Sequence, residues 1–507
     1  MQRGDETQPS ETQPVVETRS GPVAGEHKRG AWRWKGIPFA APPVGELRFR
    51  PPQPAHPWTD VRDATGRFPI APQPMAGMEA AAGGAGGAAQ SEDCLTLNVW
   101  TPAADDGRRP VLFWVHGGAF VTGAGTVPWY DGGNLTRRDI VVVTTNYRLG
   151  ALGFLELGGI DASYADSGNC GLMDQIAALE WVRDNIAAFG GDPDNVTLAG
   201  ESAGAYSVGA LLGSPAAQGL FHKAIPQSGA AGNVSEPAWA EESTAKFLAA
   251  LGVDDTAGLQ AASVDDVLRA QNTVAAGFGS ERGLRFQPVA GGPTLPRQPL
   301  AAVRDGMSAY VPLLTGSNKD EMRLFTALDP GMAPTHRESV LTLADTATGG
   351  NGAALLAHHE AAGVTDPKGL YEAIATDFVF RMPALDLLEA QAPHAPTYGY
   401  EFHFESSAFG GALGAAHAVE IPFMFDNLDA GGASFFVGEP TQAMRELATR
   451  MADAWCAFAH SGRPGAGGLP EWPRHDSDGR PTMILDLEPH VELDPAADVR
   501  ALWSATS

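Results

Sequence analysis

The segment TLAGESAGAYSV (197–208) holds Ser202 between Gly200 and Gly204. A serine hydroxyl is a poor nucleophile at neutral pH. It needs a base within hydrogen-bond reach, and the base needs an orienting acid. It must also stand clear of the chain around it. A sharp strand-to-helix turn achieves this if the residues two before and two after are small, because backbones crowd there. Ser202 is the only serine in a G-x-S-x-G frame. An apolar run precedes it and the helix-compatible AGAYSVGALL follows. The free amides and positive dipole end of that helix are therefore expected beside the hydroxyl. The chemistry this suggests is acyl transfer through a serine nucleophile; the plain alternative is a turn that happens to contain a serine.

A second segment, WVHGGAF (114–120), lies upstream. Successive small residues leave backbone N–H groups free to face a developing oxyanion. Gly118 and Ala119 are the expected donors, with the Ala203 amide as a third. Alone this would be a glycine-rich turn; together with the elbow, in this order, it reads as an oxyanion hole. The acid and base are less legible. TGSNKDE (315–321) follows an apolar run, where a strand-end catalytic loop belongs, and offers Asp320 and Glu321 without separating them. Thirteen histidines are available as the base.

The elements that must carry these residues follow from hydrophobic pattern. VLFWV (111–115) and IVVVTT (140–145) are continuous apolar runs rich in β-branched residues, as in strands buried on both faces of a parallel sheet. Leu172, Ile176, Leu179, Val182 and Ile186 recur at helical spacing, and Gly190-Gly191-Asp192-Pro193 is expected to stop that helix. NVTLAG (195–200) is a further buried strand leading into the elbow, and VPLLTGS (311–317) and YGYEFHF (398–404) are two more. Alternation of strand and helix predicts an α/β protein with a large, mostly parallel sheet flanked by helices. VVETRSGPVAG (15–25) reads as a small N-terminal hairpin, and the proline-studded stretch 36–58 as irregular surface chain. Residues 1–13 read as a disordered tail and 14–507 as one domain, with a Gly/Ala-rich loop at 75–90.

Sixty acidic residues against 34 basic ones give a net charge of −26, which argues against nucleic acid as a partner. No apolar h-region opens the chain and no run is long enough to span a membrane, so a cytoplasmic protein is expected, with no membrane partner. Three cysteines without a C-x-x-C pair do not make a disulfide scaffold. No metal is expected: there is no H-E-x-x-H, and HHE (358–360) has the wrong spacing and reads as an exposed helix face. Ser243-x-x-Lys246 imitates a β-lactamase-like nucleophile, but it lies in an amphipathic stretch and reads as a solvated helix face.

From about residue 15 to the last 20 residues the chain resembles the type-B carboxylesterases, an esterase/lipase group of the α/β-hydrolases, and most of all the bacterial members. WKGIPFAAPPVGELRF, SEDCLTLNVW, HGGAF, VVTTNYRLGALGFL, NCGLMDQIAALEWVRDNIAAFGGDPDNVTLAGESAG, LLTGSNKDEMRLF, HAVEIPFMF and WCAFAHSGRP carry the resemblance. It implies an α/β-hydrolase fold with helical insertions, Glu321 as the acid, His417 as the base and no cofactor. Glu201 and Glu420 match positions the family keeps acidic, and Ser228 is a similar case; each is expected either to orient water or tune His417, or to make a plain structural hydrogen bond. Residues 67–93 contain no tryptophan, so the choline-binding feature of some relatives is missing. Phe120, Phe325, Phe409 and Phe423 flank motif residues and read as core packing first and pocket lining second. The implied activity is hydrolysis of uncharged carboxylic esters, of short to medium acyl length and broad alcohol scope, by a monomer or weak homo-oligomer. It should fall as pH drops through roughly 6 to 7, where a histidine base takes up its proton.

Overall fold

The computed structural model describes residues 14–74, 87–275, 284–465 and 467–503. The expected N-terminal tail and residues 75–86 of the Gly/Ala-rich loop lie outside them. Strands β1 (Val15–Thr18) and β2 (Gly21–Ala24) form the expected antiparallel hairpin, joined by β5 (Arg62–Asp63) into a three-stranded sheet. The main sheet has eleven strands. They are β3 (Glu26–Lys28), β4 (Ala31–Pro38), β6 (Thr96–Thr101), β7 (Arg109–Val115), β8 (Val141–Thr145), β9 (Gly191–Glu201), β10 (Lys223–Gln227), β11 (Leu313–Asn318), β12 (Thr397–Phe402), β13 (Pro481–Leu485) and β14 (His490–Leu493). Their order is β14-β13-β12-β11-β10-β9-β7-β8-β6-β4-β3. From β8 to β13 neighbours run parallel; β14 on one edge and β6, β4 and β3 on the other run antiparallel.

Side chains alternate across this sheet and feed two cores. On β7, Val111, Phe113 and Val115 enter one cluster, while Leu112 and Trp114 enter the other. On β8, Val141 and Val143 face the first core and Val142 the second. Helices cover both faces, which is why these strands read as unbroken apolar runs. A third, smaller cluster, with Leu355, Leu370, Ile374 and Phe380, packs the helices of residues 322–382 on one another and on Val499 of the helix Ala497–Trp503.

Several expectations shift by a few residues. β4 runs through Pro38, so Gly36, Ile37 and Pro38 belong to a strand and not to irregular chain. The helix Cys170–Asn185 ends before the glycine pair; a 3-10 turn, Ile186–Phe189, follows and Gly190 closes it at φ 79°. β9 then begins at Gly191, four residues before the predicted strand. Ser243 is buried, donating to the carbonyl of Trp239, and only Lys246, paired with Glu242, lies on a solvated face. His359 is likewise buried against Asp377 at 3.2 Å, so the HHE segment is not an exposed face throughout. A buried ion pair ties the loop after β8 to the helix Cys170–Asn185: Arg148 donates from Nε (2.8 Å) and Nη2 (2.6 Å) to Asp174.

Candidate active site

Ser202 sits at the C-terminal end of β9, between the strand and the helix Ala203–Leu212, with φ 56° and ψ −124°. A side chain rarely adopts this backbone conformation, and it persists only where the surroundings over-determine it. Here they do. A Cβ on Gly200 would meet the carbonyl carbon of Gly204 at 2.6 Å, and a Cβ on Gly204 would meet the carbonyl oxygen of Val115 at 2.1 Å. The turn is closed further by the Ser202 N–H donating to Gln227 O and by Tyr206 N–H donating to Ser202 O. The two small residues are therefore a steric condition of the elbow.

β7 ends beside it, and the chain continues as the 116–123 loop. Gly118 has φ 111° and Ala119 φ 53°. A Cβ on Gly118 would lie 2.3 Å from Thr122 O. Val121 and Thr122 both donate to Gly118 O, folding the loop back on itself. Among the described residues, the backbone N–H groups of Gly118, Ala119 and Ala203 donate to no protein acceptor. Ala203 is fully buried. A fully buried unpaired N–H is rare, which sets Ala203 apart; Gly118 and Ala119 are half-buried.

β11 leads into the segment that holds both candidate acids. Glu321, three residues past the strand, is fully buried; its Oε1 accepts from Asn318 N–H at 2.7 Å and its Oε2 lies 2.6 Å from His417 Nδ1. Asp320, which the sequence left equally eligible, points elsewhere: its carboxylate accepts from Ala415 N–H and pairs with Arg323. The long loop after β12 returns His417 to the same place. The ring nitrogen remote from Glu321, Nε2, faces Oε1 of Glu201 at 3.0 Å, and Glu201 is the residue before the elbow serine. Among the described residues the Ser202 hydroxyl makes no hydrogen bond to the imidazole. The structure thus joins Glu321, His417 and Glu201 in one line and sets Ser202 next to it.

The electrostatics follow from this geometry. Burial works against a charged His417, but the carboxylates of Glu201 and Glu321 outweigh it and carry the imidazole up to about 9. Glu420 lies behind, accepting from Asn318 Nδ2 at 2.7 Å and Gln227 Nε2 at 3.2 Å. Burial, with the nearby Glu321 charge, pushes Glu420 up to about 7. Ser228, at the end of β10, is fully buried and its hydroxyl has no partner among the described residues.

Two aromatic rings clamp the imidazole. Phe325 lies 5.1 Å and Phe380 4.9 Å from it, centroid to centroid. The sequence pointed to Phe325; Phe380 carries no local signal, since it arrives from a π-helical turn, Asp377–Arg381, on a distant segment. Asn318 and Gln227 were also missed, although Asn318 lies inside the TGSNKDE segment. Phe120 packs on Phe154, and Phe423 on Phe402 and Phe404. Phe409 is 61% exposed, against Phe435. Among the described residues no group of three or more histidine, cysteine or acidic side chains is placed to hold a metal ion, and no helix is long and apolar enough to cross a membrane.

The sequence model of the carboxylesterase family matches residues 12–503. The chain is 40% identical to the para-nitrobenzyl esterase of Bacillus subtilis, over 96% of this chain and 98% of that protein. It is 37% identical to the phenmedipham hydrolase of Pseudarthrobacter oxydans, over 94% and 96% respectively. Among solved structures, a carboxylesterase of Geobacillus stearothermophilus superposes with a TM-score of 0.87 at 40% identity, covering 96% of this chain and 99% of that one. A thermophilic para-nitrobenzyl esterase gives the same TM-score at 37% identity, covering 97% and 100%. The chain belongs to the carboxylesterase family: it is a carboxylic ester hydrolase with the α/β-hydrolase fold.

Proposed function

We propose that Ser202, His417 and Glu321 form the catalytic triad and that Gly118, Ala119 and Ala203 form the oxyanion hole. The observation that carries this reading is the 2.6 Å contact between Glu321 and His417 Nδ1, made beside the elbow at the carboxyl ends of parallel strands. Glu321 fixes the tautomer: with Nδ1 donating to the carboxylate, Nε2 of the neutral ring is left as an acceptor. In the free enzyme the protonated ring donates from Nε2 to Glu201, and loss of that proton frees the nitrogen. Side-chain adjustment on substrate binding brings it to the hydroxyl, in keeping with the loose catalytic hydrogen bonds of unliganded sites.

His417 then takes the Ser202 proton as the oxygen attacks the ester carbonyl. The three free amides hold the oxyanion, which forms in a site where donors need no reorganisation. His417 returns the proton to the leaving alcohol. Water, deprotonated by the same ring, releases the acid from the acyl-enzyme and restores Ser202. No metal or organic cofactor enters any step. The substrates are uncharged carboxylic esters of short to medium acyl chain, and the three buried free thiols, Cys94, Cys170 and Cys456, suit a reducing cytoplasm.

A panel of para-nitrophenyl esters from acetate to palmitate tests the reading. We expect kcat/KM to be highest at the short and medium chains and to collapse at palmitate, with every activity lost in Ser202→Ala. Turnover that persists in that variant would end the triad assignment; a palmitate optimum would end the chain-length assignment.

A further inference from the structure

The 116–123 loop, which carries Gly118 and Ala119, is held at its far end by a side chain from a distant segment. Gln73 is buried and lies 50 residues from Gly123 in the chain. It meets the peptide of Gly123 with both ends of its amide: Nε2 donates to Gly123 O at 2.9 Å, and Oε1 accepts from Gly123 N–H at 2.9 Å. Paired residues of antiparallel strands exchange two bonds in the same way. The second Nε2 proton goes to Ala71 O at 3.0 Å, and the Gln73 N–H donates to Gln90 Oε1 at 3.0 Å. A flipped amide would set its oxygen against two carbonyls and its NH₂ against the Gly123 N–H, so one orientation is fixed. A buried amide with its donors and acceptor all engaged is a rigid anchor.

The anchored limb of the loop packs against the limb that carries the amides. A Cβ on Gly123, whose φ is 113°, would meet Gly117 O at 2.4 Å and His116 Nδ1 at 2.2 Å. Thr122 O lies 2.3 Å from where a Cβ on Gly118 would stand. The Gly117 and Thr122 contacts are between backbones, so a shift of residues 122–123 is passed to residues 117–118. The loop is also strained. Ala119 and Phe120 have φ of 53° and 60°, which a side chain rarely adopts and which persist only where the surroundings over-determine them. Two anchors act earlier in the loop: the Tyr147 hydroxyl donates to His116 O at 3.0 Å, and Gly150 N–H donates to Phe120 O at 2.6 Å. Gln73 completes the hold at residue 123.

We propose that Gln73 is a positioning residue for ester hydrolysis: its amide clamps Gly123 and so holds the Gly118 and Ala119 N–H groups where the oxyanion forms. The proposal rests on the oxyanion-hole reading of those two amides. Gln73 acts through the loop and not on the reacting atoms. Its effect is felt in the transition state, where charge reaches the oxygen, so it bears on kcat and leaves KM alone. Removing one oxyanion donor costs about 10²–10³-fold in kcat. Loosening the loop with both donors retained should cost less, about 10-fold.

The test compares para-nitrophenyl acetate with its thionoester, in which sulfur replaces the carbonyl oxygen, in the wild type and in Gln73→Met. That variant keeps the length of the side chain and removes the amide. Sulfur is larger and a weaker acceptor, so a hole fitted to oxygen favours the oxygen ester beyond the ratio that hydroxide shows in free solution. We expect the wild type to exceed the hydroxide ratio, and Gln73→Met to lose about 10-fold of that preference through kcat, with KM changed by less than about 2-fold. Gln73→Glu can still accept from Gly123 N–H but cannot donate. It should lose a smaller share, and it decides the matter if Gln73→Met does not fold; thermal melting reports the fold of each. A folded variant that melts lower yet keeps the full preference would make Gln73 a plain structural residue and overturn the proposal while the oxyanion hole stands. A loss carried by KM alone would do the same. A wild-type preference no greater than that of hydroxide would overturn the oxyanion-hole reading itself, and the proposal with it.

Discussion

At the elbow, the neighbours that forbid larger residues are backbone atoms: the carbonyls of Gly204 and Val115, at 2.6 and 2.1 Å from where a Cβ would stand. Around His417 the neighbours are side chains: the carboxylates of Glu201 and Glu321 and the rings of Phe325 and Phe380. The difference has consequences. Backbone contacts cannot relax, so the elbow demands glycine at two fixed positions, two residues to either side of Ser202. Side-chain contacts can rearrange, so the histidine pocket sets charge and ring orientation without writing a local pattern. In the proposed triad, one region fixes where the nucleophile stands and the other how basic its partner is.

The comparison is broken most directly through the nucleophile. Ser202→Ala should lower kcat by about 10⁶-fold, leaving binding and the oxyanion donors in place; steady-state kinetics on para-nitrophenyl acetate reads the loss. Glu321→Gln keeps the shape of the pocket but favours the wrong tautomer of His417, and should lower kcat about 10⁴-fold with little change in KM. The steric side is broken by Gly204→Ala. Its Cβ would collide with Val115 O, so we expect a loss of about 2–5 kcal/mol, read as a lower midpoint in urea unfolding. An unchanged midpoint would show that the elbow relaxes after all.

The smallest effect sharpens the electrostatic side. The proposed base must be neutral, and Glu201 and Glu321 raise His417 above its ordinary 6.5, so kcat/KM should fall with falling pH through a limb above 6.5. The sequence alone placed that limb at roughly 6 to 7. In Glu201→Gln one anion that favours the imidazolium is gone, the His417 pKa drops, and the limb should move to lower pH by about one unit. A limb that stays in place would show that Glu201 does not touch the titration of the base.

Legibility in the sequence follows the same division. β7, β8 and β9 were readable because burial on both faces leaves unbroken apolar runs, and the elbow because its glycines are sterically required. The acid was not separable from Asp320 by residue type or spacing: both are carboxylates just past β11, and only the long-range contact with residue 417 tells them apart. Resemblance to relatives singled out Glu321, and Glu321, not Asp320, is the carboxylate that contacts His417. Phe380 was invisible because a ring meeting the imidazole from a π-helical turn has no counterpart in local spacing. The helix boundaries at Asn185 and Gly191 were missed because a glycine pair can follow a 3-10 turn or open a strand, and here it does both in succession. The buried state of His359 depends on Asp377, which its own segment does not contain.

Mapping the site of a fluorophosphonate adduct by mass spectrometry, in the wild type and in His417→Ala, tests the central claim most directly. The account predicts one adduct per chain, on Ser202, formed at a rate that rises with pH through the titration of His417 and nearly vanishes in the variant. An adduct on Ser228 or Ser243, or full-rate labelling of Ser202 without the imidazole, would contradict it.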